Sequence, residues 1–386
     1  MISKKTILLY PSGKWHSLYN PLIKTLSKKY NLIYNPRESK IKQKILAFLY
    51  GFKGLRIFYH KFIRNYINLH KISKTDKPTQ EYDLVYASNS LPPFKCNFIM
   101  GLEIVSALAG YNFSGLKRQE IKKRLEDPSC KKIICWNKSS YLTLTRTIDC
   151  SKFLNKIKII PFGLASKKIN KKIHPENINF LFVSSINNPQ DFELKGGLIT
   201  LESFSKISAH YPNSKLYVRS LIPQKIKRKY EKNDKIIFLE NFLSNEEMDK
   251  LFSDTDILLE PVPGINLMLD CMNYKIPIIA FDYWVIPEMV HEGKNGLLVS
   301  SNNLFGDIKD TENYLKNLHL KYLKLLNPRV CLPFADSFFR KSVKLIENKS
   351  LRLKMGRYGK MLLENGGPYS LKSYNRTIFN LIKDAL

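Results

Sequence analysis

Short apolar runs bounded by Pro, Gly, Asn and Ser alternate along this chain with stretches of helical spacing. Residues 6–10, 83–87, 98–100, 132–136 and 157–160 read as buried strands in the first half. Residues 180–183, 216–218, 235–239, 257–259 and 276–281 read so in the second. The runs are continuous rather than alternating, as expected of parallel strands covered on both faces. Helical spacing falls at 18–30, 55–67, 116–125, 198–211, 245–254 and 370–386, and residues 184–197 read as a polar loop. Alternating strands and helices in both halves predict an α/β fold of two Rossmann-like, doubly wound domains facing one another across a cleft. The Lys/Asn-rich stretch 166–177 is the expected linker.

The most informative stretch is 256–299. It predicts a strand, a Pro/Gly turn at Pro261-Val262-Pro263-Gly264, a helix with an early acidic residue (Asp270), and a second strand. This is a βαβ unit with a turn placed where an anion could sit.

A length of 386 residues fits two domains better than one core. The formal charge of +30 is skewed: residues 1–160 carry 30 Lys/Arg against 9 Asp/Glu, and residues 161–386 carry 33 against 24. The basic half points to an anionic partner, whether nucleic acid, an anionic bilayer or a phosphorylated substrate; a chain-wide Lys bias is the plain alternative. Much of the excess lies in 37–74, where ten Lys/Arg accompany one acid, Glu38. Within it the apolar positions of 55–67 follow helical spacing beneath a basic face, so this helix either lies on an anionic membrane surface or packs on the core. The six cysteines show neither C-x-x-C pairing nor zinc-finger spacing, and reduced, mostly buried thiols are expected. No apolar run reaches the ~18 residues of a membrane span, and Thr6–Tyr10 is too short for a signal peptide. A cytoplasmic protein is the expectation, peripheral on the inner face of the membrane if the helix at 55–67 is the one that lies on a bilayer.

Candidate chemistry sits where strands end. Lys14 and His16 follow the first strand and are candidates to face a substrate, or form an ordinary solvated turn. Glu103 follows the strand at 98–100, a position suited to catalysis or a hydroxyl contact, or to a structural ion pair. Lys195 precedes Gly196-Gly197 at a helix start, where a cation and free N–H groups could meet a diphosphate. Gly264-Ile265-Asn266-Leu267 precedes the helix that carries Asp270, and Asp270 suits the hydroxyls of a ribose.

Residues 276–282, 286–290 and 293–299 resemble the C-terminal signature of the family-4, GT-B-fold, retaining glycosyltransferases (glycosyl transferases group 1). Residues 180–204 resemble the family's phosphate loop, with Lys195 at the phosphate-contacting lysine. Residues 238–252 resemble the elements that flank the nucleobase, which brings in Phe242, and 159–163 match the domain junction. The resemblance implies a metal-independent, retaining transfer of a sugar from a UDP- or GDP-sugar, with no other cofactor. Catalysis would rest on Glu103, Lys195 and Asp270. The donor would be held by Ser185, Lys195, Phe242, Gly264, Ile265, Asn266, Leu267 and Asp270, with Lys14, His16 and Glu103 on the acceptor side. It also implies that residues 1–163, completed by the last helix at 370–386, bind a glycan or lipid-linked acceptor, and that 164–369 bind the donor.

Three departures stand out. Asp270 replaces the second of two glutamates eight positions apart, Val262 stands where the first belongs with Glu260 two positions earlier, and Ser185 replaces an arginine. A non-catalytic nucleotide- or glycan-binding protein and a nucleic-acid glycosyltransferase are the alternatives that these departures and the charge keep open.

Overall fold

The computed structural model describes residues 4–11, 15, 17–34, 80–111, 113–169, 171, 177–306, 308, 310–316 and 323–386. Lys14, His16 and the basic segment 37–74 lie outside the described residues. The chain divides into two compact units: Met1–Leu164 with Asp307–Leu318 and Pro368–Leu386, and Ala165–Gly306 with His319–Gly367. Each contains a six-stranded parallel sheet with flanking helices, a Rossmann-like, doubly wound arrangement.

In the first unit, β1 (Thr6–Tyr10), β2 (Asn31–Tyr34), β3 (Leu84–Ser88), β4 (Phe98–Leu102), β5 (Cys130–Cys135) and β6 (Ile157–Ile159) lie in the order β2-β1-β3-β4-β5-β6. Ile7, Leu8, Val85, Ile99 and Ile133 are fully buried, the reason these segments read as unbroken apolar runs. Helices α1 (Asn20–Leu26), α2 (Arg118–Glu126) and α3 (Lys138–Thr147) flank the sheet. The helix expected over 18–30 is shorter. Its first turn is a 3-10 turn at Ser17–Tyr19, and the chain leaves α1 at Leu26 to enter β2, a strand the pattern did not mark.

The second unit arranges β7 (Ile178–Val183), β8 (Ser214–Arg219), β9 (Ile236–Leu239), β10 (Ile257–Leu259), β11 (Ile278–Phe281) and β12 (Gly296–Val299) as β12-β11-β10-β7-β8-β9. Strand order therefore runs outward in both directions from β7, and reverses between β7 and β10. That switch point opens a crevice at the carboxyl ends of the strands. The stretch expected to be only a polar loop contains a helix, α4 (Pro189–Leu194), started by the Asn188 side chain accepting from the Gln190 N–H and by Pro189 at its first position. It is followed by α5 (Gly197–His210), α6 (Gln224–Tyr230), α7 (Asn245–Asp254), α8 (Ile265–Asn273) and α9 (Ile286–Met289).

Helices α10 (Ala335–Glu347) and α11 (Lys349–Met361) complete this unit. A Cβ on Gly356 of α11 would sit 2.2 Å from the Lys275 carbonyl oxygen, a backbone atom that cannot swing away. Gly356→Ala is therefore expected to cost about 1–2 kcal/mol of stability through forced separation of α11 from the turn after α8, read as an earlier midpoint in chemical unfolding.

The last helix, α12 (Leu371–Lys383), belongs to the first unit. It buries Tyr374, Ile378 and Ile382, and its Asn375 Nδ2 donates to Thr25 Oγ1 of α1 at 3.2 Å. Gly163 makes room for it, since a Cβ there would meet the Ser370 carbonyl oxygen at 2.7 Å. The six cysteines are unpaired and five are buried. Among the described residues, no helix is long and apolar enough to cross a membrane, and no group of three His, Cys, Asp or Glu is placed to hold a metal ion.

Candidate functional site

The switch point of the second sheet gathers most of the expected donor residues. Gly196 caps α5 at φ +83°, a left-handed conformation suited to glycine, and a Cβ there would lie 2.6 Å from Pro261. The next residue, Gly197, is as tight, with Phe192 at 2.4 Å from an added Cβ. Gly196 thus lets the start of α5 close onto Pro261 of the loop 260–264, and Gly197 lets it close onto Phe192 of α4. Lys195, half-buried just before them, brings its Nζ within 3.9 Å of the position a Gly264 Cβ would occupy. That amine makes no hydrogen bond or ion pair with a described residue.

Gly264 is the N-cap of α8, in extended conformation and without a side chain capping the helix. Residues 264–267 therefore do not precede the Asp270 helix, as expected from the sequence, but form its cap and first turn. The reason is local. Pro263-Gly264 ends the loop, and the buried Leu267, Met268, Cys271 and Met272 fit a helix that begins at Ile265. The N-terminal end of a helix carries roughly half a positive charge, so the Lys195 amine and the start of α8 set two sources of positive potential side by side.

Asp270 is accordingly the sixth residue of a nine-residue helix, not an acid of its first turn. Burial pushes its carboxyl up to about 6, with Lys167 pulling it down and Asp249 pushing it up. Val262 is buried and offers no polar atom in place of the expected glutamate. Glu260, just past β10, is fully buried and turned back toward β7: its Oε2 accepts from the Val183 N–H at 3.1 Å, and its Oε1 is enclosed with no partner. Burial pushes this carboxyl up to about 8, opposed by the Lys195 charge and the Val183 hydrogen bond. At neutral pH it is mostly protonated.

Ser185 follows β7 but serves its own loop. Its Oγ accepts from the Asn187 N–H at 3.1 Å, and its carbonyl accepts from the Leu221 N–H at 3.1 Å. The sequence pattern passed over Arg219, the last residue of β8, which stands in register with Val183. Its Nη1 donates to the Ser184 carbonyl at 3.0 Å and its Nε is enclosed without a partner. A charged residue closing an apolar strand at its carboxyl end was the available signal. Phe242 lies past β9 on the same edge, 78% exposed, just before the Ser244–Glu247 capping box of α7.

In the first unit, Glu103 is the residue after β4. Its Oε2 accepts from Tyr111 Oη at 2.8 Å and from Asn89 Nδ2 at 3.3 Å, and its backbone N–H donates to Asn89 Oδ1 at 2.7 Å. Asn89 follows β3 at φ 52°, a conformation asparagine tolerates, which aims its amide across to the neighbouring strand. Burial raises the Glu103 carboxyl above its ordinary range. Among the described residues Glu103 makes no ion pair, and its partners are Asn89 and Tyr111.

Residues 177–315 match the family model described as glycosyl transferases group 1. A curated protein of Klebsiella pneumoniae, described as an uncharacterized 41.2 kDa protein in the cps region, is 23% identical over 229 residues, 55% of this chain and 59% of that protein. The match therefore spans less than two thirds of that relative. Among solved structures, Anabaena Alr3699/HepE in complex with UDP superposes with a TM-score of 0.57 at 14% identity, over 98% of this chain and all of that one. Sucrose-phosphate synthase from Thermosynechococcus elongatus does so with a TM-score of 0.58 at 12% identity, over 99% of each chain. Through residues 177–315 the chain carries the signature of the glycosyl transferases group 1 family, on the GT-B architecture of two Rossmann-like domains.

Proposed function

We propose that the protein transfers a sugar from a nucleoside-diphosphate sugar to a hydroxyl of a glycan or lipid-linked acceptor, with retention at the anomeric carbon and without a metal ion. The observation that carries this reading is the unpaired Lys195 amine beside the uncapped start of α8. In the transfer, the bond from the anomeric carbon to the diphosphate oxygen breaks and one to the acceptor oxygen forms. Negative charge grows on the leaving diphosphate, and Lys195 with the positive end of the α8 dipole would stabilise it. A cation and helix N-termini in that position take the role a metal ion would otherwise fill. Retention rests on the family resemblance alone. The Anabaena protein of the same fold is bound to UDP, which favours a uridine donor over a guanosine one.

Residues 164–369 are assigned to the donor and residues 1–163 with 370–386 to the acceptor. Asp270 is assigned to ribose hydroxyls and Glu103 to the acceptor hydroxyl, its carboxyl positioned by Asn89 and Tyr111. Phe242 is the platform for the nucleobase, because a bare aromatic ring on this edge has no structural use for its exposure. Phe242→Ala is expected to weaken UDP binding about tenfold, within the range of base–aromatic stacking, with an unchanged melting temperature; calorimetric titration reads the first and a thermal scan the second.

One observation favours binding without turnover: neither Val262 nor the enclosed Glu260 presents a carboxylate to a donor sugar. Release of the nucleoside diphosphate from a panel of UDP- and GDP-sugars decides between the two. Release from at least one, lost in Lys195→Ala, supports transfer; tight nucleotide binding with every sugar nucleotide left intact supports the binding protein.

A further inference from the structure

Three neighbouring strands of the second sheet, β8, β7 and β10, end in polar atoms that are enclosed and have no partner: Arg219 Nε, Ser184 Oγ and Glu260 Oε1. Arg219 is the charged member of this row. Its carbonyl oxygen accepts from the Ser184 N–H at 2.9 Å and its Nη1 donates to the Ser184 carbonyl at 3.0 Å, so both backbone and side chain are pinned to the residue that opens the loop leading to Lys195. The Nη1 bond is the guanidinium's only hydrogen bond to a described residue, although the group carries five donors. No carboxylate lies within ion-pair distance of it among the described residues. Half-burial has already weakened its hold on its proton. A partly desolvated cation without a counter-charge is unfavourable in the empty protein and gains most when an anion arrives. Ser185, two residues past β7, supplies no charge, and its Oγ accepts from the Asn187 N–H.

We infer that Arg219 is a second cationic contact for the nucleotide's diphosphate, set on β8 and acting with Lys195, so that the site selects nucleoside diphosphates over nucleosides. The inference rests on the donor reading above and adds to it a residue that neither the family match nor the sequence pattern singled out. A guanidinium suits this role because its planar fork can bind two phosphate oxygens at once.

The test is calorimetric titration of the full chain with UDP and with uridine. For wild type, UDP binds more tightly than uridine. Arg219→Gln is expected to weaken UDP binding by about 30-fold or more, in the range for removing one member of a buried charge pair, and to leave uridine binding within about twofold of wild type. Arg219→Lys keeps the charge without the fork and is expected to lose roughly tenfold for UDP alone. It also keeps the inference testable should the Gln variant fold poorly. Unchanged UDP affinity in either folded variant, or equal losses for UDP and uridine, would overturn the inference and leave Arg219 a structural residue. A wild-type chain that binds neither UDP nor GDP would overturn the donor reading first, and this inference with it.

Discussion

Lys195→Ala is expected to lower affinity for the nucleoside diphosphate by about 100-fold, close to 3 kcal/mol, within the range measured when one member of a hydrogen-bonded charge pair is removed. The size follows from what the amine lacks. Lys195 has no described carboxylate or carbonyl to satisfy it, and its Nζ hangs over Gly264, where the start of α8 adds further positive potential. A lysine without internal partners contributes little to folding, so the variant should melt with wild type while its calorimetric titration with UDP flattens. Loss of melting temperature without loss of affinity would assign Lys195 a packing role instead. Binding in wild type should also weaken with added salt, since the contact is between charges at a partly open edge.

The second large effect concerns Glu260 and runs with pH. In the unfolded chain its carboxyl titrates near 4.5, and in the folded protein burial raises it to about 8. Between those values the folded state holds the proton and the unfolded state releases it, so stability from this group falls as pH rises. The contribution is intact below about 4.5, declines by about 1.4 kcal/mol per pH unit, and levels off above about 8, for a loss on the order of 3 kcal/mol by pH 7. Glu260→Gln keeps an oxygen to accept from the Val183 N–H and removes the titration. The variant and wild type should therefore unfold at similar denaturant concentrations at pH 5, and the variant should be the more resistant at pH 8.5 by several kcal/mol. A variant weaker at both pH values would show that the carboxyl, charged or not, has a hydrogen-bond role the amide cannot fill. Asp270, raised by burial to about 6, adds a smaller dependence of the same sign in both proteins and cancels in the comparison.

The fold was legible wherever burial on both faces leaves an unbroken apolar run, as at Leu84–Ser88 and Phe98–Leu102. It was not legible where an element is short and held from outside. β2 is four residues long and was absorbed into the helix before it. Helix α4 has six residues and is specified by a cap and a proline rather than by a repeat. The site divides in the same way. Lys195 before two glycines could be read from spacing, but that Gly196 is required by Pro261, 65 residues later, could not. The start of α8 was misplaced because glycine reads first as a turn residue and only secondarily as a cap. Glu103 was marked by its place at a strand end, whereas its partners Asn89 and Tyr111 come from separate loops. Arg219 Nε and Glu260 Oε1 are enclosed without a partner, a consequence of the folded packing around them that no local sequence pattern encodes.

Binding of a nucleoside diphosphate by the second unit is the property from which transfer, Lys195 and Arg219 all take their roles. A thermal-shift screen of the wild-type chain against nucleotides and sugar nucleotides measures this directly. A UDP or GDP compound at 100 times its dissociation constant should stabilise the protein by ~2.7 kcal/mol, and at the same concentration Lys195→Ala, binding about 100-fold more weakly, should gain only ~0.4 kcal/mol. A melting temperature indifferent to every member of the panel would contradict it.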